Sequence, residues 1–297
     1  MPRIAAAMRR REAIAGYLFI APWLVGFIGW TAGPMLVSLV LSFTSWNLLS
    51  PAHYVGVANY SDVVNSHVTL QSLWNTAYYT FISVPLDLLV ALGVAIFLNR
   101  PLRGSALYRL IVYLPVVTSG VATAILWAWL FAPQLGMVDY LLQQVGLPAI
   151  PWLTSTTWSK PAFILMSVWG VGSQAIIFLA GLKGIPRELI EAALVDGASV
   201  WARFTNVVIP QLGPVILLTV ITGIIGASQV FTQAFIVTQG GPADSTLFYV
   251  LNLYNNAFVY FKMGYASALA WVLLVFVMVL TLFVLYLSQE RVYYAGR

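Results

Sequence analysis

Few residues in this 297-residue chain are of a type that could do chemistry, and their placement argues against most kinds of it. There is no cysteine, so a disulfide framework, a thiolate metal site and a thiol nucleophile are all excluded. The two histidines, His53 and His67, fall together in a segment expected outside the membrane, leaving none within it for acid–base work. Gly172-Ser173 sets a serine in an apolar segment, but a nucleophilic serine needs a base within hydrogen-bond reach. Neither His nor Lys is placed to serve it, which argues against an intramembrane hydrolase. Lys160, Lys183 and Lys262 are followed by Pro, Gly and Met, so the Gly-x-x-x-x-Gly-Lys-Ser/Thr loop that cradles nucleotide phosphates is absent.

Two polar features remain. The first is Glu191-Ala192-Ala193-Leu194-Val195-Asp196-Gly197-Ala198, continuing to Val207-Val208-Ile209-Pro210, a charge-bearing island between long apolar segments. Pro186 suits a first helical turn, Gly197 suits a turn with positive φ, and Ser199–Val208 reads as a second short helix before Pro210 and Pro214. Leu189, Ala192 and Ala193 share one compact face, and the small alanines admit close approach by another surface. Glu191 points elsewhere on the helix, where it can pair with a cation on a partner. An amphipathic helix resting on lipid headgroups is the simpler alternative. Acids at Glu188, Glu191 and Asp196, set against Arg187 and Arg203, fit an anionic membrane surface poorly. The second feature is Asp87, about mid-way through an apolar segment and next to Pro85. Intramembrane acids default to functional hypotheses; a structural cap or an inter-helix hydrogen bond beside the Pro85 break is the favoured reading.

The elements that must position these residues follow from composition. Hydrophobic residues make up 61% of the chain and charged residues 8%, against about 25% charged in soluble domains, and mean hydropathy is +0.89. The bilayer is therefore the solvent, and an all-α integral membrane protein is expected. A helix needs roughly 20 apolar residues to cross a hydrocarbon core about 30 Å thick. Six segments qualify: 14–43, 73–98, 108–132, 160–182, 212–238 and 265–288, with the polar island in the loop 183–211. The first carries Pro22 and Pro34 and is expected to kink or to span only in part. Twelve of the fourteen Lys and Arg fall at the two termini and in the second-to-third and fourth-to-fifth connections. By the positive-inside rule both termini are cytoplasmic. The net charge of +5 is thus topological, and nucleic acid is not an expected partner. Ala5-Ala6-Ala7 precedes the apolar run instead of following it, so an uncleaved first helix is expected rather than a signal peptide. The outer loops 44–72, 133–159 and 239–264 are too short for a soluble domain, and a single domain over 1–297 is expected.

The polar island resembles the EAA loop of permease subunits of bacterial ABC importers, with Glu191, Ala192, Gly197, Phe204, Pro210 and Pro214 at the matching positions. Val207 and Ile209 stand where Ile and Leu are more usual. Thr238-Gln239-Gly240-Gly241-Pro242, Ser245-Thr246, Tyr254, Phe258 and Gly264-Tyr265-Ala266-Ser267-Ala268 are similar to the carbohydrate-importer branch, as are Asn75-Thr76 and Leu114-Pro115. The resemblance implies a type I ABC importer permease fold with a coupling helix between the fourth and fifth membrane helices. It implies no catalysis and no cofactor in this chain, ATP and Mg being held by partner ATPases. Two permeases would pair, each docking its loop on one of two ATPase subunits, and an extracytoplasmic binding protein or lipoprotein would deliver a sugar across a bacterial plasma (inner) membrane. By motif position Glu191 makes the ATPase contact and Gly197 the turn, with Ala192, Ala193, Asp196 and Ala198 completing the docking surface. Likeness to maltose-importer permeases implies a solute path near Met166, Ser167, Trp169, Gly170 and Ser173, and near Gly223, Gly226, Ala227 and Val230. Gln229 and Gln233 are expected to substitute for polar contacts that the small residues cannot make. The small residues are equally suited to close helix packing.

A channel or secondary carrier would leave the cytoplasmic loop unexplained, and the halves show no internal repeat of the kind carriers often have. The alternative kept open is a permease of the same superfamily for glycerol phosphate or another non-sugar solute.

Overall fold

The computed structural model describes residues 2–101 and 103–288. Arg291 and Arg297, the basic residues expected to hold the C-terminus in the cytoplasm, lie outside the described residues. The described chain is mostly helical, and packing divides it into two compact units.

The first unit runs up to Val64 and includes Asn255–Val272. Its apolar run Glu12–Leu41 is long enough to cross a membrane, with a π-turn at Ile28–Ala32 and Pro34 in the first turn of the helix Gly33–Leu41. The backbone stays helical through Ala32 and Gly33, with Gly33 N–H donating to the Ile28 carbonyl, so the π-turn accommodates Pro34 and the segment is not broken. A two-residue hairpin follows, pairing Thr44 with Tyr54 and Ser45 with His53. Asn59 Nδ2 donates to the Ser42 carbonyl at 2.8 Å and the Thr44 carbonyl at 2.9 Å, closing the chain end of the helix against the hairpin. The start of the helix Met263–Ser288 docks here: Met263 N–H donates to the Trp46 carbonyl at 2.9 Å, and Trp271 Nε1 donates to Ser38 Oγ at 3.2 Å. Gly264 lies so near the Thr44 carbonyl that a Cβ would collide with it.

The second unit covers Asn65–Tyr254 and the last helix from Leu273 onward. Its axis is the helix His67–Leu98, against which Ser159–Trp169, Gly172–Lys183, Gly213–Ser228 and Tyr249–Tyr254 pack. That helix begins six residues before the expected edge, because Ser66 caps it by accepting from Thr69 N–H at 3.3 Å. Two apolar clusters flank it. One gathers Tyr79, Phe131, Phe163, Phe248 and Leu251; the other gathers Ala91, Leu92, Leu98, Ala175, Phe178 and Leu212.

Two of the expected unbroken segments are bent pairs. Residues 108–132 correspond to Ser105–Val117 and Gly120–Leu130, which meet at 97°. Residues 160–182 correspond to Ser159–Trp169 and Gly172–Lys183, which meet at 48°. Among the described residues, four further segments are long and apolar enough to span unaided. The physical causes are local: Pro115 removes a helical N–H near the first break, and Gly170 ends a helix at the second. Gly172 then lets its helix approach the Val112 backbone closely, where a side chain would collide.

Candidate functional site

The bends matter because of what they bring together. A cavity of about 450 Å³ opens in the second unit between the long helix His67–Leu98, both bent pairs and the C-terminal part of Gly213–Val237. Tyr79, Ser83, Val84 and Asp87 face it from the long helix. Pro115, Thr118, Gly120 and Thr123 reach it from the 97° bend, and Met166, Ser167, Trp169, Gly170 and Gln174 from the 48° bend. The last wall is Thr222, Gly223, Gly226, Ala227, Gln229, Val230, Phe231, Thr232 and Gln233, where the helix Gly213–Ser228 ends and Thr232–Val237 begins. Hydroxyls, side-chain amides, one carboxylate and the half-exposed ring of Trp169 therefore share one chamber, a mixture suited to a hydroxyl-rich solute with an apolar face.

Of the eleven residues expected along a solute path, ten line this cavity: Met166, Ser167, Trp169, Gly170, Gly223, Gly226, Ala227, Gln229, Val230 and Gln233. Ser173 does not. The break at Gly170 and Val171 starts a new helix with a different direction, and Gln174 takes the position on the wall. The glycines divide between the two readings weighed for them. A Cβ on Gly223 would meet Val84 Cγ1 at 3.2 Å, so Gly223 serves packing as well as space, whereas a Cβ on Gly226 would meet nothing within 4 Å.

Asp87 is half-buried on the cavity wall. Its carboxylate accepts a hydrogen bond from Ser167 Oγ at 2.9 Å, which is the inter-helix bond expected for it, and the same hydroxyl lies 2.8 Å from the Ile164 carbonyl. Sequence reasoning missed Tyr79, Ser83, Thr118 and Thr123 as cavity residues. The only signal for the last two was Pro115 followed by Thr118-Ser119-Gly120, a helix break read as helix.

The polar island forms a second surface. Arg187–Val195 is a helix, with Pro186 at the cap position itself and not in the first turn. Its end is a Schellman motif: Ala198 N–H donates to the Ala193 carbonyl at 2.9 Å and Gly197 N–H to the Leu194 carbonyl at 3.0 Å, with Gly197 at φ +75°. Ser199 then caps Val200–Arg203 by accepting from Ala202 N–H at 3.2 Å, and a π-turn Phe204–Val208 leads to the next helix. Ile190 packs with Phe204 and Val208 against the cluster of Leu212, Phe178 and Ala91. The opposite side presents Glu188, Glu191, Ala192, Val195 and Asp196 to the exterior, Val195 with 89% of its surface exposed, while Ala193 and Ala198 are half-buried in the turn.

Residues 70–292 match the family of binding-protein-dependent transport system inner membrane components. The chain is 42% identical to the probable ABC transporter permease protein YesP of Bacillus subtilis, over 97% of this chain and 94% of that one. It is 36% identical to the lactose transport system permease protein LacF of Rhizobium radiobacter, over 96% and 98% respectively. Its fold is that of a chain in the crystal structure of a bacterial ABC transporter involved in the import of the acidic polysaccharide alginate, with a TM-score of 0.81, 22% identity, and 97% and 99% of the two chains covered. The chain belongs to the family of inner membrane components of binding-protein-dependent transport systems.

Proposed function

We propose that this chain is a permease subunit of an ATP-driven importer for a carbohydrate, and that it forms the translocation path together with a second permease. The observation that carries the reading is the 450 Å³ chamber, whose hydroxyl, amide and aromatic lining suits a sugar. Relatedness to a lactose permease supports the same solute class. In this reading the chain is one domain that crosses the inner membrane six times, each bent pair counting as one span, with both termini cytoplasmic. A binding protein delivers the sugar from outside.

The energy comes from two partner ATPase subunits, and Arg187–Val195 is the coupling helix that docks on one of them. Glu191 supplies the charged contact, and Ala192, Val195 and Asp196 the surface around it. Ala193, Gly197 and Ala198 hold the turn that aims this face. Displacement of the docked helix is passed through Ile190 and Phe204 into the cluster around Leu92 and Leu98, at the end of the same helix that carries Ser83 and Asp87 on the chamber wall. A packed interior transmits such displacement because it has little room to absorb it.

The test is affinity purification of the tagged chain from its native membrane, with ATP-driven sugar uptake assayed in proteoliposomes. A second permease and a P-loop ATPase should co-purify. Glu191→Arg should leave the chain folded but uncouple ATP hydrolysis from uptake. A chain that purifies without an ATPase even after cross-linking would refute the importer reading, and wild-type uptake by Glu191→Arg would refute the docking role.

A further inference from the structure

Among the described residues, the chamber has one charged side chain on its wall, that of Asp87, and no Lys, Arg or His of this chain lines it. The carboxylate is poorly satisfied. Its hydrogen bond comes from Ser167, whose single proton lies between Asp87 Oδ1 and the Ile164 carbonyl. An ionised carboxylate offers about four acceptor sites, so most of its capacity is unused. A further group on the same walls is in a similar state: Gln174 Oε1 is buried without a hydrogen-bond partner. Buried polar atoms left without a partner are rare and call for an explanation. Here Gln174 Oε1 and the Asp87 carboxylate line one chamber, and both can only accept. A carboxylate on a wall that carries no cation of the described chain binds hydroxyl donors strongly and repels anions, the more so where the dielectric is low.

Building on the carbohydrate reading of this chamber, we propose that Asp87 is a specificity-determining residue: it accepts a hydroxyl of a neutral sugar and excludes solutes bearing a carboxylate, sulfonate or phosphate.

The chain has no cysteine, which allows a direct test in the assembled importer. Thr222→Cys places one thiol on the exposed part of the chamber wall. Its labelling by two methanethiosulfonate reagents of similar size, one carrying a trimethylammonium and one a sulfonate, is followed by the mass of this chain. The cationic reagent should react faster by at least about tenfold beyond its ratio on a free thiol. Asp87→Asn should abolish that bias, and Asp87→Glu should restore it. A bias unchanged in Asp87→Asn, no bias at all, or a thiol that neither reagent reaches would overturn the proposal. In parallel, uptake of lactose is compared with uptake of a digalacturonate. Asp87→Asn should shift the ratio toward the acidic sugar, and an unshifted ratio counts against Asp87. Absence of ATP-driven uptake of any sugar by the wild-type importer would instead overturn the carbohydrate reading, while the labelling ratio still decides the electrostatic one.

Discussion

Asn75 should hold the loop after the solute chamber in place, and its removal should open that loop selectively. The side chain is fully buried. Its Nδ2 donates to the Asp244 carbonyl at 2.7 Å and the Leu247 carbonyl at 3.1 Å, while Oδ1 accepts from Lys160 Nζ at 3.1 Å and Gln71 Nε2 at 3.2 Å. The loop it grips is strained: Gln239, Ala243 and Asp244 have φ of 51°, 45° and 56°, in the left-handed region that non-glycine residues avoid. Such conformations persist only where surrounding bonds over-determine them. Asn75→Ala leaves the buried Leu247 carbonyl without its donor, at a cost of about 1–3 kcal/mol. The Asp244 carbonyl, on an exposed residue, recruits water and loses less, so a total of about 2–4 kcal/mol is expected. Asn75→Asp should not rescue: it keeps the partner of Lys160 but turns a carboxylate toward two carbonyl oxygens. The assay is site-resolved hydrogen exchange on the purified complex. The amides of Thr246, Leu247 and Tyr249 donate to Gly240, Asp244 and Thr76, so they report loop opening. Their exchange should accelerate by about thirtyfold to a thousandfold, the equivalent of 2–4 kcal/mol at about 1.4 kcal/mol per decade. Amides within Gly172–Lys183 should be unaffected. Wild-type exchange at Thr246 and Leu247 in Asn75→Ala would show that the strained loop is held by its own bonds, and the reasoning would fail.

Gly226→Leu should act in opposite directions on stability and transport. A Cβ at this position meets nothing within 4 Å, and replacing a glycine within the helix gains up to about 1 kcal/mol of helix propensity. The complex should thus melt no lower than wild type while sugar uptake falls, because the side chain occupies the chamber; undiminished uptake would remove Gly226 from the path. Gly223→Leu, driven into Val84, should instead lower the melting temperature, and a stable variant there would contradict the packing. Gly197→Val should cost about 1–2 kcal/mol at its left-handed position and loosen the end of Arg187–Val195. Retention of full ATPase coupling in a folded Gly197→Val complex would show that the turn does not need to be held.

Hydropathy and charge decided a great deal, since the physics behind them is local. A run such as 265–288 must lie in lipid wherever its neighbours sit, and the structure has Met263–Ser288 as one apolar helix. Gly197 was legible for the same reason: a glycine after Asp196 ends a helix through its own φ, and it does so at +75°. Motif position assigns Glu191, Ala192 and Asp196 to a docking surface, and they are exposed, whereas Ala193 and Ala198, assigned to it with them, are half-buried in the turn.

Bends and partners were not legible, because they depend on contacts between residues far apart in the chain. Pro115 and Thr118-Ser119-Gly120 carry the ingredients of a break, but only packing against Gly172–Lys183 and Thr232–Val237 fixes it at 97° and turns Thr118 and Thr123 into the chamber. Ser173 is expected on the path by likeness to maltose-importer permeases, but the 48° bend between Ser159–Trp169 and Gly172–Lys183 leaves it off the chamber wall. Asp87 is the sharpest case. Its neighbours in the chain justified a structural hydrogen bond, and one exists, to Ser167 eighty positions away. That the same carboxylate also faces a chamber whose wall has no Lys, Arg or His among the described residues follows from the tertiary structure, since a side chain's electrostatic surroundings are set by what folds against it and not by what precedes it.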